Sequence, residues 1–191
     1  MTSSQPRPAP GRDQARDRLL AATVDQAKQG GIADLSLREL AAAIGTSHRM
    51  LLYHFGSREG LLTAVARAVE DAERADMLSQ GTTVADARRV WAHLSAPELW
   101  PLERLFFEMY VLALRGRPGT EGFLDSVVPD WITGLAAAMT EAGVDAGEAR
   151  VHARLGLAVA RGLLLDLLAT GDRDGVNAAH ELFLGRYDEP Q

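Results

Sequence analysis

Residues 35–62 read LSLRELAAAIGTSHRMLLYHFGSREGLL, and the punctuation of that stretch leaves few folds open. Ser36-Leu37-Arg38-Glu39 has the form of a capping box, in which the serine hydroxyl meets a free amide of the first turn and the glutamate reaches back. The helix it opens carries Leu40, Ala41 and Ile44 on one face, and Gly45 stands where a helix end needs a left-handed residue. Thr46-Ser47 can cap the next helix, which reaches His54 or Phe55, and Gly56-Ser57 caps a third, from Arg58 to about residue 78. A capped helix, a glycine turn and a short basic and aromatic helix are the layout of a helix-turn-helix.

The flanks are helical too. Residues 1–11 are rich in Pro, Ser and Gly and are expected to be a disordered arm. From residue 12 to 29, Ala15, Leu19, Ala22 and Ala27 recur at helical spacing until Gly30-Gly31 ends the run. Beyond the motif, Thr83 opens a helix through Leu94, and Ser95-Ala96-Pro97-Glu98 is a second candidate box, opening a helix that reaches Leu114 with a bend at Pro101. Further helices are predicted over 123–139, restarted at Pro129, then from Asp145 to Ala169 and over 175–187. No segment alternates with period two, so the chain is expected to be all-α. Residues 12–57 form a three-helix DNA-binding domain in this reading, and 58–191 a larger helical domain for ligand binding and dimerisation.

Charge separates the same two parts. The net charge is −6, but residues 1–60 hold eight Lys+Arg against six Asp+Glu, while residues 61–191 hold twelve against twenty. Only the first third can approach a phosphate backbone without repulsion. There is no cysteine, which removes disulfides and thiolate metal sites. The five histidines show neither H-x-x-x-H nor E-x-x-H spacing, and no G-x-S-x-G or phosphate-loop motif occurs. No metal, no cofactor and no enzymatic activity are expected. The most apolar run, LGLAVARGLLLDLLA, is interrupted by Arg161 and Asp166, so no membrane span is expected. With no secretory signal visible either, a cytoplasmic location is expected.

A helix in the major groove reads bases with a few side chains near its N-terminus and holds phosphates with its flanks. The candidates are Ser36, Arg38, Thr46, Ser47, His48, Arg49, Met50, Tyr53, His54 and Arg58. Arg49 suits a bidentate bond to guanine, and Met50 a thymine methyl. Tyr53, His54 and Arg58 are assigned to phosphates, while Leu51 and Phe55 turn back to the core with Leu40, Ile44 and Leu61. A plain helical hairpin with solvated polar residues is the competing reading.

Taken together, residues 35–41, Gly45-Thr46-Ser47, Tyr53-His54-Phe55 and residues 57–62 resemble the tetracycline-repressor (TetR) family of bacterial regulators. The resemblance covers about residues 14–65 at motif level. It implies a nine-helix-type subunit, a homodimer and a ligand pocket in the larger domain. Members often carry two aromatics before the histidine; here the first place is Leu52, leaving Tyr53 as the aromatic hydroxyl. The small residues common early in the reading helix are replaced by His48-Arg49-Met50, which implies a different operator preference. The frequent lysine at the next helix start is Arg58.

The larger part is rich in bulky side chains, each more often core than pocket taken singly. As a group, Trp91, Trp100, Phe106, Tyr110 and Trp131 are the candidate walls of an apolar ligand site, with His152 as a polar group. The last two helices are apolar on more than one face, so a second chain is expected to cover one of them. Leu157, Arg161, Leu164, Leu168, Leu182 and Phe183 are assigned to that dimer interface, against the alternative of a monomer with a large core. The function these residues suggest is a homodimeric regulator that binds double-stranded operator DNA and is released by a small, mainly apolar effector. A helical adaptor or small-molecule-binding protein without DNA binding is the alternative.

Overall fold

In the computed structural model, residues 10–81 and 83–188 are described, and all their regular structure is helical. The head comprises α1 (Pro10–Gly30), α2 (Leu37–Ala43) and α3 (His48–Phe55). The body comprises α4 (Arg58–Gln80), α5 (Val84–Leu94), α6 (Trp100–Leu114), α7 (Phe123–Val127), α8 (Pro129–Glu141), α9 (Ala146–Thr170) and α10 (Arg173–Asp188). α7 and α8 meet at Val128, whose backbone stays in the helical region, so Pro129 restarts one bent rod. Counted so, there are nine rods among the described residues. The arm expected over 1–11 lies outside the described residues except for Pro10 and Gly11, which already belong to α1.

The capping box forms as the sequence dictates: the Ser36 hydroxyl accepts from the Glu39 amide, and the Glu39 carboxylate accepts from the Ser36 amide at 2.8 Å. Thr83 and Asp86 build a second box at the start of α5. The box expected at Ser95 does not form. Ser95 instead ends α5 and is buried, and a 3-10 turn over Pro97–Leu99 leads into α6 with Pro101 in its first turn.

One core runs without a break from head to body. Ala27, Ile32, Leu40 and Leu51 pack with Leu61, Leu62, Val65 and Ala66 of α4, and these with Leu105, Met109, Phe123 and Val127. The boundary expected between residues 57 and 58 therefore meets no gap in packing: the first turns of α4 belong to both parts. Leu61, Leu62 and Val65 are wholly buried, which makes α4 the rigid connection between them. A second, smaller core gathers Trp91, Leu164, Leu167 and Val176, where α5, α9 and α10 meet.

Candidate nucleic-acid interface and ligand cavity

The turn between α2 and α3 is set by Gly45, whose φ of 69° suits a residue without a Cβ. The amide of Thr46 then donates to the Ala41 carbonyl at 2.8 Å, closing the end of α2. Ser47 caps α3 by accepting from the Met50 amide at 3.2 Å. Leu51 is buried and Phe55 half-buried, so the opposite face of α3 is presented outward. That face carries Arg49 and Met50 in the first turn and Tyr53 one turn on, 57% exposed. Ser36, Arg38 and Ser47 are exposed beside it, and Thr46 and His48 half-buried. Leu52 is also exposed, at the place where the resemblance expects an aromatic.

Two assigned phosphate contacts are placed differently. Arg58 turns inward: its Nε donates to the Leu35 carbonyl at 2.8 Å, and an Nη to the Ala33 carbonyl. The guanidinium thus ties the start of α4 to the loop before α2, since a fork of donors satisfies carbonyls that no helix uses. The sequence shows the charge but not the orphan carbonyls 23 and 25 residues away. His54 is half-buried, its ring edge-on to Tyr53 at 4.9 Å, and its Nε2 is enclosed without a hydrogen-bond partner among the described residues.

The body encloses a cavity of about 240 Å³ between α4, α5, α6, α8, α9 and α10. Of the candidate ligand-site residues, Trp91, Phe106, Trp131 and His152 line it. Trp100 and Tyr110 do not. The Trp100 indole donates to the Ser95 carbonyl at 3.2 Å and packs on the smaller core. Tyr110 packs against Phe106, ring centroids 5.7 Å apart, within the larger core.

Four residues assigned to the dimer interface also face this cavity: Leu157, Arg161, Leu164 and Phe183. Leu164 is buried within the subunit. The Arg161 guanidinium donates to Glu70 at 2.9 Å and to the Val127 carbonyl at 2.7 Å, and lies 4.8 Å from the centre of the Phe106 ring. An ion pair and a carbonyl hold it inside, which its polar character in an apolar helix did not reveal. Leu168 is half-buried, and Leu182 is 73% exposed. The outward apolar face of α9 is instead Val151, Leu155 and Leu165, with exposures of 66%, 45% and 52%.

The cavity also holds three carboxyl groups absent from the sequence assignment, Glu70, Glu73 and Glu103. Glu70 accepts from the Trp131 indole at 2.7 Å as well as from Arg161. Burial still raises its pKa above the usual carboxylate range, against the pull of Arg161. Burial, reinforced by Glu70 and Glu73, pushes Glu103 up to about 8. A signal for Glu103 exists in the sequence: it precedes Phe106, Phe107 and Tyr110 at helical spacing, on a different face from the exposed Arg104 and Glu108 of the same helix. His180 and Tyr187 also line the cavity, His180 stacked on Trp91 at 4.5 Å and its pKa lowered by burial. Tyr187 lies 3.2 Å from His152 through its hydroxyl.

Residues 19–65 match the family model described as bacterial regulatory proteins, tetR family. No curated protein matches the chain in sequence. Solved structures similar over nearly its whole length include the multidrug binding protein EbrR complexed with imidazole, at 26% identity and a TM-score of 0.63, covering 96% of this chain and 93% of that one. A member of the TetR family from Streptomyces coelicolor A3 is 26% identical, with 91% and 97% covered and a TM-score of 0.60. A transcriptional regulator from Rhodococcus sp. Rha1, 23% identical with 90% and 94% covered, shares the fold at a TM-score of 0.69. No helix among the described residues is long and apolar enough to cross a membrane.

Proposed function

The chain belongs to the tetR family of bacterial regulatory proteins through its head, and on that premise we propose that it is a homodimeric repressor released from operator DNA by a small, mainly apolar ligand. The observation that carries this reading is the path of α4. Its first turns share the core of the reading head through Leu61, Leu62 and Val65, and further along it presents Glu70 and Glu73 to the cavity. A ligand that favours one position of α4 over another changes where α3 points. A tenfold release needs only about 1.4 kcal/mol of differential affinity.

For DNA contact, the support is the outward face of α3, with Arg49 and Met50 at the end that enters a groove. Ser36, Arg38, Thr46, Ser47, His48 and Tyr53 flank it in this proposal. Arg58 acts through the loop it holds. For assembly, the support is the unpaired apolar stripe of Val151, Leu155 and Leu165 on α9, with Leu182 on α10. Two-fold pairing of these helices buries the stripe and sets two reading helices side by side. For the effector, the support is the lined cavity, together with the complex of EbrR with imidazole among the similar structures. A cytoplasmic location follows from the role.

The deciding experiment is a fluorescence-anisotropy titration of the full chain against DNA flanking its own gene, over a salt series. Specific binding that weakens steeply with salt is expected, through release of counterions from the phosphates. Binding no tighter to flanking than to scrambled DNA would favour the helical adaptor instead.

A further inference from the structure

Three carboxyl groups face one apolar cavity, and two of them have partners. Glu70 is paired with Arg161 at 2.9 Å and accepts the Trp131 indole N–H at 2.7 Å. Glu73 meets the His93 Nε2 at 3.1 Å, from α5. Glu103, on α6, has neither a hydrogen bond nor an ion pair among the described residues. The cation that acts on it, Arg161, is already committed to Glu70 and to the Val127 carbonyl. A second polar group is also left unmet: His180 is 6% exposed, lines the cavity, and its Nδ1 has no partner among the described residues.

An unpartnered carboxyl in an apolar wall is a liability to the protein alone, because burial opposes its charge and no donor among the described residues offsets that cost. Such a group suits a ligand that brings the missing partner. We propose that the cavity takes a flat aromatic cation, with Glu103 as its counter-ion and the indoles of Trp91 and Trp131 as aromatic walls. The proposal rests on the reading of this cavity as the effector site and adds the ligand's chemical class. An anion would meet three carboxyl groups against one arginine. An uncharged ring would leave Glu103 unpaired. A cation gains both a half-buried carboxylate that no described cation pairs and the negative faces of the indoles.

Proton release follows from the same geometry. Burial holds Glu103 protonated up to about pH 8, so at neutral pH the protein without ligand mostly carries that proton. A permanently charged ligand expels it. The titratable groups around Glu103 are Glu70 and Glu73 from α4 and Arg161 and His152 from α9. α10 adds His180, its pKa lowered by burial, and Tyr187, while α8 contributes Trp131, Leu135 and Met139, which do not titrate. His93 enters from α5 through Glu73.

The test is isothermal titration of the full-length protein, without DNA, with two probes: 10-methylacridinium, permanently charged, and acridine, the same ring system, neutral at pH 8. At pH 8 the charged ring is expected to bind at least about tenfold more tightly. Its affinity should rise by up to about tenfold per pH unit from 6 towards 8 and then level off. Buffers of different ionisation enthalpy should report release of a proton on binding of the charged ring at pH 7, and none on binding of acridine at pH 8. Glu103→Gln should abolish both the preference for the charged ring and the proton release. The wild-type pH profile and proton count decide the matter even if that variant does not fold. Equal binding of the two rings, weakened for both by Trp131→Ala, would overturn the cation assignment and leave the cavity as the effector site. Binding of neither ring would overturn the assignment and count against the effector site as well.

Discussion

Arg161 on α9 reaches Glu70 on α4 at 2.9 Å, and the same guanidinium holds the Val127 carbonyl at the end of α7. Both side chains are largely buried, with 16% and 14% of their surfaces exposed. One ion pair thus joins the cavity wall to the helix that carries the reading head. A buried pair adds little over an apolar pair of the same size, but removing one partner strands the other. Arg161→Leu is expected to lower unfolding stability by about 3 kcal/mol or more, and Glu70→Leu in the same chain to recover most of it. Urea denaturation of the single and double variants measures this. A single-variant loss under about 1 kcal/mol would show that the pair is solvated and carries no tension between α4 and α9.

Arg49 is exposed in the first turn of α3, where no hydrogen bond or ion pair among the described residues engages its guanidinium. Arg49→Ala is expected to weaken specific DNA binding by about 1–3 kcal/mol and to relax preference at one base pair per half-site. Binding to a library of operator variants reads both effects. Equal loss on specific and random DNA would reduce Arg49 to a phosphate contact.

Arg58 gives the opposite expectation. Because it holds the Leu35 and Ala33 carbonyls, Arg58→Ala should loosen the loop before α2, at about 1.5–3 kcal/mol for charge-assisted bonds. Hydrogen exchange should quicken at the amides of residues 35–41, and affinity for all DNA should fall together. Arg58→Lys should not restore protection, since an ammonium cannot span two carbonyls as the planar fork does. Normal exchange in the alanine variant, with weaker DNA binding, would return Arg58 to the phosphates.

The contrast between Arg49 and Arg58 shows what the sequence could convey. Local rules reach a few residues along the chain, so the Ser36–Glu39 box, the Gly45 turn and the Ser47 cap were all legible. Helical spacing also placed Leu51 inward and Arg49 outward. Partnerships across 23 or 91 residues, Arg58 with Leu35 and Arg161 with Glu70, leave no local trace. The same limit explains the division of α9. Its apolar residues were visible on more than one face, but which face meets the cavity and which meets solvent depends on how α8 and α10 pack. Leu164 therefore belongs inside, and Leu165 outside.

That division redirects the test of assembly. Leu182→Glu and Leu155→Glu place charge on the outward stripe without touching the subunit core, since both residues are exposed. Either is expected to convert a dimer to a monomer in light scattering at micromolar concentration while helix content by circular dichroism stays unchanged. Leu164→Ala, by contrast, should cost about 2–5 kcal/mol of stability and leave the dimer in place at low temperature. A double variant of the stripe that still dimerises would move the interface elsewhere.

Glu103 makes stability itself depend on pH, with a sign fixed by the direction of its shift. Its pKa in the folded protein is about 8, against 4.5 for the ordinary carboxyl, so between these values the folded state binds the proton that the unfolded state has lost. The unfolded chain therefore holds fewer protons, and stability falls as pH rises through this window. The slope from this one group is at most about 1.4 kcal/mol per pH unit and fades above pH 8, where both states are ionised. Glu70, also raised by burial, acts in the same direction. His180 opposes it over its own range, because a histidine whose pKa is lowered by burial favours the folded state as pH rises. Glu103→Gln keeps the shape of the protonated carboxyl without the titration. Its melting temperature should thus match the wild type near pH 5 and exceed it at pH 8. Parallel melting curves for the two proteins across that range would mean that Glu103 is paired or hydrated in solution, and that its carboxyl is ionised at neutral pH.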